Sequence, residues 1–75
     1  MRYSEVPVRT IFRETTGPFK GDVWVKISRR SSVEYRSSTF YAFPGETDVE
    51  VLVEDYRGEH VDLPSILNSK GLIDG

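Results

Sequence analysis

The feature that most constrains this chain is an alternating stretch that predicts a long β-hairpin across residues 22–43. In its first arm, Val23, Val25 and Ile27 alternate with side chains of other types. This period of two marks a strand with one buried face. The return arm, residues 33–43, is rich in the aromatic, Val and Thr residues that suit a pleated surface. The sequence therefore predicts a mainly β fold built around this hairpin.

The connection between the two arms decides their register. A three-residue turn at residues 29–31 would pair Ile27 with Val33. That register places the apolar residues of both arms on one face, as a buried face requires. The other face then carries Trp24, Lys26 and Arg36. It is either exposed as a contact surface, or Trp24 is covered by another strand or the C-terminal helix while the basic residues pair with acids.

A stretch near the start of the chain predicts another strand. Within residues 1–14, the apolar residues Val6, Val8 and Phe12 share one parity. Pro7 lacks the N–H group that a sheet ladder needs, so this strand is expected at an edge or beside a bulge.

Residues 48–55 predict a further strand, preceded by a turn at residues 44–47. Pro and Gly are adjacent in that turn, in positions that turns favour. Val49, Val51 and Val53 alternate with other side chains, so we expect all three to point into the core.

The last part of the chain predicts a tight turn and then a short helix. A three-residue loop at residues 56–58, with Gly58 in the left-handed conformation, would pair Val53 with Val61. In residues 64–71, Pro lies at a helix start and Gly at a helix end.

The end of the chain resembles the final part of SH3-like small barrels. The features that carry the resemblance are the valine strand, the turn at Gly58 and the Leu63-Pro64 pair before a helical turn. The resemblance implies architecture alone, because the acidic-aromatic motif and tandem Trp of SH3 peptide-binding domains are missing. We expect a single domain, residues 1–75, with an antiparallel sheet of four to five strands. The sheet is expected to curl into an SH3-like half-barrel with a short C-terminal helix. The predicted core comprises Val6, Val8, Phe12, Val23, Val25, Ile27, Val33, Tyr35, Val49, Val51, Val53, Val61, Leu63, Ile66 and Leu67.

Composition limits both stability and location. A chain of 75 residues buries a small core, and the sequence has no cysteine with which to staple it. The absence of cysteine fits a reducing cytoplasm, and no apolar run is long enough for a membrane span. The net charge of -2 hides an asymmetry, because residues 1–36 carry eight basic and four acidic side chains, whereas residues 37–75 carry two and eight. Oppositely charged halves suit either a bipolar docking surface or two halves that face each other.

The sequence does not contain the residue sets that most catalytic and metal sites need. His60 is the only imidazole and there is no thiol, so neither a nucleophilic triad nor a zinc site is predicted. We therefore expect no enzyme activity, no metal and no cofactor.

Aromatic and basic residues on the outer face of the hairpin predict a binding surface. Such mixtures occur at protein interfaces and on sheets that stack single-stranded nucleic acid. The leading hypothesis is a non-catalytic protein-binding module, such as a small regulator, inhibitor or accessory subunit, and homo-oligomerisation is compatible with it. The alternatives are a single-stranded nucleic-acid-binding protein and a structural subunit of a phage or particle. Phe19, in the preceding loop, would either plug one end of the sheet or contact the partner. The candidate partner-binding residues are Trp24, Lys26, Arg29, Arg30, Arg36 and Phe40.

Overall fold

The computed structural model describes residues 1–58 together with Ser65, Asn68, Ser69 and Gly71. Half of the predicted C-terminal helix lies outside the described residues, as do the predicted core positions Val61, Leu63, Ile66 and Leu67. The elements are a 3₁₀ turn (Tyr3–Glu5) and five strands: β1 (Ile11–Glu14), β2 (Val23–Lys26), β3 (Ser32–Glu34), β4 (Phe40–Tyr41) and β5 (Val49–Val53).

The strands form one antiparallel sheet in the order β4-β3-β2-β1-β5, which is not closed into a barrel. The predicted mainly β fold with an antiparallel sheet of up to five strands is confirmed. The turn predicted at residues 44–47 is also present, since the Thr47 N–H donates to the Pro44 carbonyl at 3.0 Å.

Strand β2 is buried on both faces, although its alternation predicted one buried face. One face of the sheet, here called the aliphatic face, buries Ile11, Val23, Val25 and Val33. The other, here called the aromatic face, buries Tyr3, Val6, Phe12, Trp24, Phe43 and Val49. The reason is that the 3₁₀ turn and the segment around Phe43 fold over the side that the hairpin alone would expose.

The hairpin is real, but its register differs from the predicted one by two residues. Val25, not Ile27, pairs with Val33. The Ile27 N–H donates to the Ser31 carbonyl at 3.0 Å, and the Ser31 N–H donates to the Ser28 hydroxyl at 3.1 Å. The turn therefore closes earlier and leaves Ile27 exposed. A shift of two residues preserves parity, so the predicted inward faces of Val25 and Val33 remain correct.

The return arm of residues 33–43 is two strands, not the one that was predicted. The Glu34 carboxylate accepts hydrogen bonds from the N–H groups of Arg36 and Ser37. Ser38 follows with a left-handed φ of 58°. A side chain that bonds its own backbone in this way ends a ladder and begins a turn, so β3 stops at Glu34 and β4 returns beside it.

The first predicted strand is much shorter than residues 1–14. A 3₁₀ turn brings Tyr3 inward, and the Tyr3 N–H donates to the carbonyl of Thr47 at 2.8 Å. Arg9 has a φ of 73°, which interrupts the extended chain. Val8, predicted to be in the core, is exposed as a result.

Strand β5 contains a bulge that the valine alternation concealed. Ile11 pairs with Val53. Phe12, one residue further along β1, pairs with Val51. Leu52 is therefore an extra residue, and both Leu52 and Val53 pack against the aliphatic cluster. The prediction that three alternate valines share one face is wrong, because a bulge changes parity within a strand.

The turn predicted at residues 56–58 also takes another form. Gly58 does not have a positive φ, whereas Asp55 does, at 52°. Tyr56 is buried, and its N–H donates to the Arg9 carbonyl at 2.7 Å. A Cβ on Gly58 would lie 2.4 Å from the Tyr56 hydroxyl, so close approach to this ring is what requires glycine here.

Candidate functional site

The six predicted binding residues do not share one surface. Trp24 and Lys26 expose only 2% and 3% of their area, so neither lies on a solvent face. Of the two alternatives for Trp24, the covered one is correct. The other four are exposed: Arg29, Arg30, Arg36 and Phe40.

Lys26 ties the N-terminal segment to the sheet. Its ammonium group donates to the carbonyl of Tyr3 at 3.0 Å and to the carbonyl of Val6 at 2.8 Å. It also lies 4.2 Å from the centre of the Tyr3 ring, a cation–π distance. Burial lowers the pKa of Lys26 from its ordinary value. These contacts satisfy a buried charge, which gives Lys26 a structural role.

Trp24 belongs to a cluster of four aromatic rings. Its ring centre lies 4.9 Å from that of Phe43, 5.5 Å from Phe19 and 6.1 Å from Tyr41. Phe19 therefore packs against the sheet as a plug, which is the first of the two alternatives predicted for it. The indole Nε1 of Trp24 is buried without a hydrogen-bond partner among the described residues.

Of the exposed residues, Phe40 lies on strand β4 and Arg36 lies in the connection between β3 and β4. Phe40 exposes 67% of its area, and its register partner Val33 places it on the aliphatic side of the sheet. The guanidinium of Arg36 lies 5.2 Å from the centre of the Tyr35 ring. We call the group Tyr35, Arg36 and Phe40 the β4 patch.

Arg29 and Arg30 lie elsewhere, in the turn between β2 and β3. They line a hollow of about 290 Å³ on the aromatic side of the sheet, together with Tyr3, Ala42 and Phe43. The arginines of the predicted site are thus divided between this hollow and the β4 patch.

A second hollow, of about 280 Å³, lies on the other side of Phe43 and was missed by the sequence analysis. Where the structure describes its wall, the charged lining residues are all acidic, and the other lining residues are mainly aromatic, glycine and proline. We call it the acidic hollow and define it by Glu14, Phe19, Tyr41, Phe43, Glu46 and Asp48.

Glu14 is the unusual member of the acidic hollow. It is only 4% exposed, and its Oε2 atom has no hydrogen-bond partner within the part of the chain that the structure describes. Burial raises the pKa of Glu14, the backbone N–H of Phe19 offsets part of that rise, and the nearby charge of Asp22 adds to it. A sequence clue existed, because Glu14 has the same parity as Phe12 and so faces inward.

The carboxylate of Asp48 already has partners within the protein. It accepts a hydrogen bond from the Thr15 hydroxyl at 3.0 Å and pairs with the amino group of Met1 at 3.3 Å. These two contacts lower the pKa of Asp48. Among the described residues of the hollow, Glu14 is therefore the buried carboxylate that retains an unused acceptor.

Comparison with protein-family models, with curated proteins and with solved structures found no match for this chain. In the ranges that the structure describes, no three His, Cys, Asp or Glu side chains converge as metal ligands. Those ranges also contain no helix of the length and apolarity that a membrane span requires. The interpretation of the site therefore rests on its own geometry.

Proposed function

We propose that this protein is a non-catalytic protein-binding module that contacts its partner through the β4 patch. The single observation that carries the proposal is Phe40, a large apolar side chain that exposes 67% of its area on an edge strand. Tyr35 packs against the aliphatic cluster on the same side of the sheet, and the Arg36 guanidinium lies over its ring. Tyr and Arg are enriched at the centres of protein interfaces. An exposed aromatic flanked by such residues fits an anchor that a partner covers.

The location of Trp24 favours a protein partner over single-stranded nucleic acid. Stacking of bases requires an accessible aromatic face, and Trp24 is enclosed by other rings. Acidic side chains on β5 and in the acidic hollow would also repel phosphates. A nucleic-acid-binding protein and a structural assembly subunit are the alternatives, and the nuclease arm of the experiment below tests the first of them.

The proposal also covers the curvature of the sheet and the location of the module in the cell. The sheet would curl as in an SH3-like half-barrel with a short C-terminal helix, which fits the burial of β2 on both faces. The module would act in the cytoplasm, which fits a chain without cysteine.

The test compares capture of a partner by three forms of the full chain. The wild type, Phe40→Ser and the matched control Val8→Ser are immobilised and exposed to lysate with and without nuclease treatment. Val8 is also an exposed apolar residue but lies outside the β4 patch. We expect a protein that the wild type and Val8→Ser retain and that Phe40→Ser loses.

Two outcomes would overturn the proposal. Capture that disappears after nuclease treatment would assign the surface to nucleic acid, for which affinity should also fall steeply as salt rises. Capture that is equal for Phe40→Ser and the wild type would exclude the β4 patch as the contact.

A further inference from the structure

The acidic hollow has the composition of a site for an organic cation. Its charged wall residues are Glu14, Glu46 and Asp48, and none of the described residues that line it is basic. We propose that the acidic hollow binds the cationic side chain of an arginine or lysine from a partner protein. This inference rests on the proposed function, because it supplies a second contact for the same partner.

The aromatic wall is suited to the apolar stem of such a side chain. The ring centres of Phe19 and Tyr41 are 4.8 Å apart, and those of Tyr41 and Phe43 are also 4.8 Å apart. Both pairs pack edge to face, which fixes the rings in place. Methylene groups of Arg or Lys pack well on aromatic surfaces, and the charged head is attracted to ring faces.

Glu14 supplies the group that would hold the cationic head. A buried carboxylate oxygen without a partner is rare, because leaving it unpaired has a substantial free-energy cost. A guanidinium or ammonium N–H donor from outside the chain would satisfy Oε2 and form a charge-assisted hydrogen bond. The unpaired Oε2 atom of Glu14 therefore indicates a hydrogen-bond donor that a bound ligand would supply.

The local backbone leaves space for this carboxylate. Gly17 has a φ of 85°, and a Cβ there would lie 2.7 Å from the other carboxylate oxygen, Oε1. The loop thus has glycine at a position where a side chain would press on Glu14. The volume of about 280 Å³ is near the lower limit of small-molecule sites, which fits one side chain rather than a larger ligand.

The other carboxylates contribute to the negative electrostatic potential of the hollow rather than to a direct hydrogen bond with the cationic head. Asp48 is engaged by Thr15 and the amino terminus, and Glu46 is exposed at the rim. Asp22 acts on Glu14 from the start of the β2 arm. Negative groups on each side of Glu14 favour a positively charged occupant over a neutral or anionic one.

The test uses single capped amino acids as probes of the full chain. Nα-acetyl-arginine methylamide, the lysine equivalent and the uncharged isostere Nα-acetyl-citrulline methylamide are titrated at millimolar concentration. The readout is the NMR shift of the Gly17 amide and the Trp24 indole. We expect saturable shifts with the arginine or the lysine probe, the stronger of the two identifying the occupant, and little shift with citrulline.

Two variants test the role of Glu14. Glu14→Gln keeps the shape and the acceptor for the Phe19 N–H but removes the charge, and we expect it to weaken binding of the cationic probe about tenfold. Glu50→Gln removes the same charge outside the hollow and should leave the affinity unchanged. Lowering the pH through the raised pKa of Glu14 should weaken binding by the wild type.

Three outcomes would overturn the inference: no saturable shift with either cationic probe, equal shifts with citrulline, or equal losses in the two variants. The first two need only the wild type, so they decide the matter even where a variant fails to fold. Failure of the probes while Phe40→Ser still loses its partner would reject the acidic hollow and leave the proposed function standing. Binding of the cationic probe together with equal partner capture by Phe40→Ser and the wild type would support the acidic hollow and reject the β4 patch as the contact.

Discussion

Lys26 and Glu14 are two charged residues buried on the same face of one sheet, and their surroundings differ. The ammonium of Lys26 has two carbonyl partners and a ring beneath it. The carboxylate of Glu14 has the backbone N–H of Phe19 on one side and an unpaired oxygen on the other. A buried charge with all its partners holds a fold together, whereas one with an open acceptor fits a binding site. Lys26 is therefore a structural residue, whereas Glu14 is a candidate functional residue.

The largest effect should follow from Lys26→Met, which keeps the stem and removes the charge. Two backbone carbonyls would lose their donor, and we expect a loss of about 2–3 kcal/mol in the free energy of unfolding. Urea denaturation measures it, with the exposed Lys20→Met as the control. A change in the free energy of unfolding of less than about 0.5 kcal/mol would show that Lys26 does not stabilise the contact between the N-terminal segment and the sheet.

The next effect tests how firmly Glu14 is held. Gly17→Ala and Gly21→Ala both place a side chain at a positive φ, 85° and 88°, which should destabilise each by about 1 kcal/mol. Only the Cβ at residue 17 meets Glu14, because the space at residue 21 is open within 4 Å. We therefore expect Gly17→Ala to be the less stable variant in thermal unfolding. Equal losses would mean that Glu14 moves aside freely.

A smaller effect concerns the pH dependence of Glu14. A carboxyl group whose folded pKa is raised stabilises the fold below its unfolded value of about 4.5, and this contribution is lost as the pH rises through the folded value. Acidification from neutral pH towards 4.5 should therefore raise the stability of the wild type relative to Glu14→Gln. Urea midpoints of both proteins across that range provide the measurement. The opposite contribution of Asp48 is present in both proteins and cancels in the difference.

The smallest effect should come from Glu50→Gln. The Glu50 carboxylate forms an exposed pair with Arg13 at 3.3 Å, and such pairs contribute little to stability. We expect a change within about 0.5 kcal/mol and the same pH dependence as the wild type. A pH profile that resembles that of Glu14→Gln would show that burial does not set Glu14 apart from other carboxylates.

The sequence by itself determined the features that depend on neighbouring residues. The alternation of Val23 and Val25 located β2, and Pro44 with Gly45 located a turn, because strand period and turn chemistry are local properties. The inward parity of Glu14 was also legible, since it follows from Phe12 two residues earlier. These features were enough for the fold class, but not for the acidic hollow.

Only the tertiary structure decided which faces are covered. Trp24 and Lys26 alternate with valines as solvent-facing residues would, yet the N-terminal turn and Phe43 enclose them. The bulge at Leu52 exists only because β5 pairs with β1 on both sides of it. The acidic hollow likewise joins side chains from the loop after β1, from β4 and from the turn before β5. Its residues are distant in sequence, and a period of two cannot show which segment will fold over a strand.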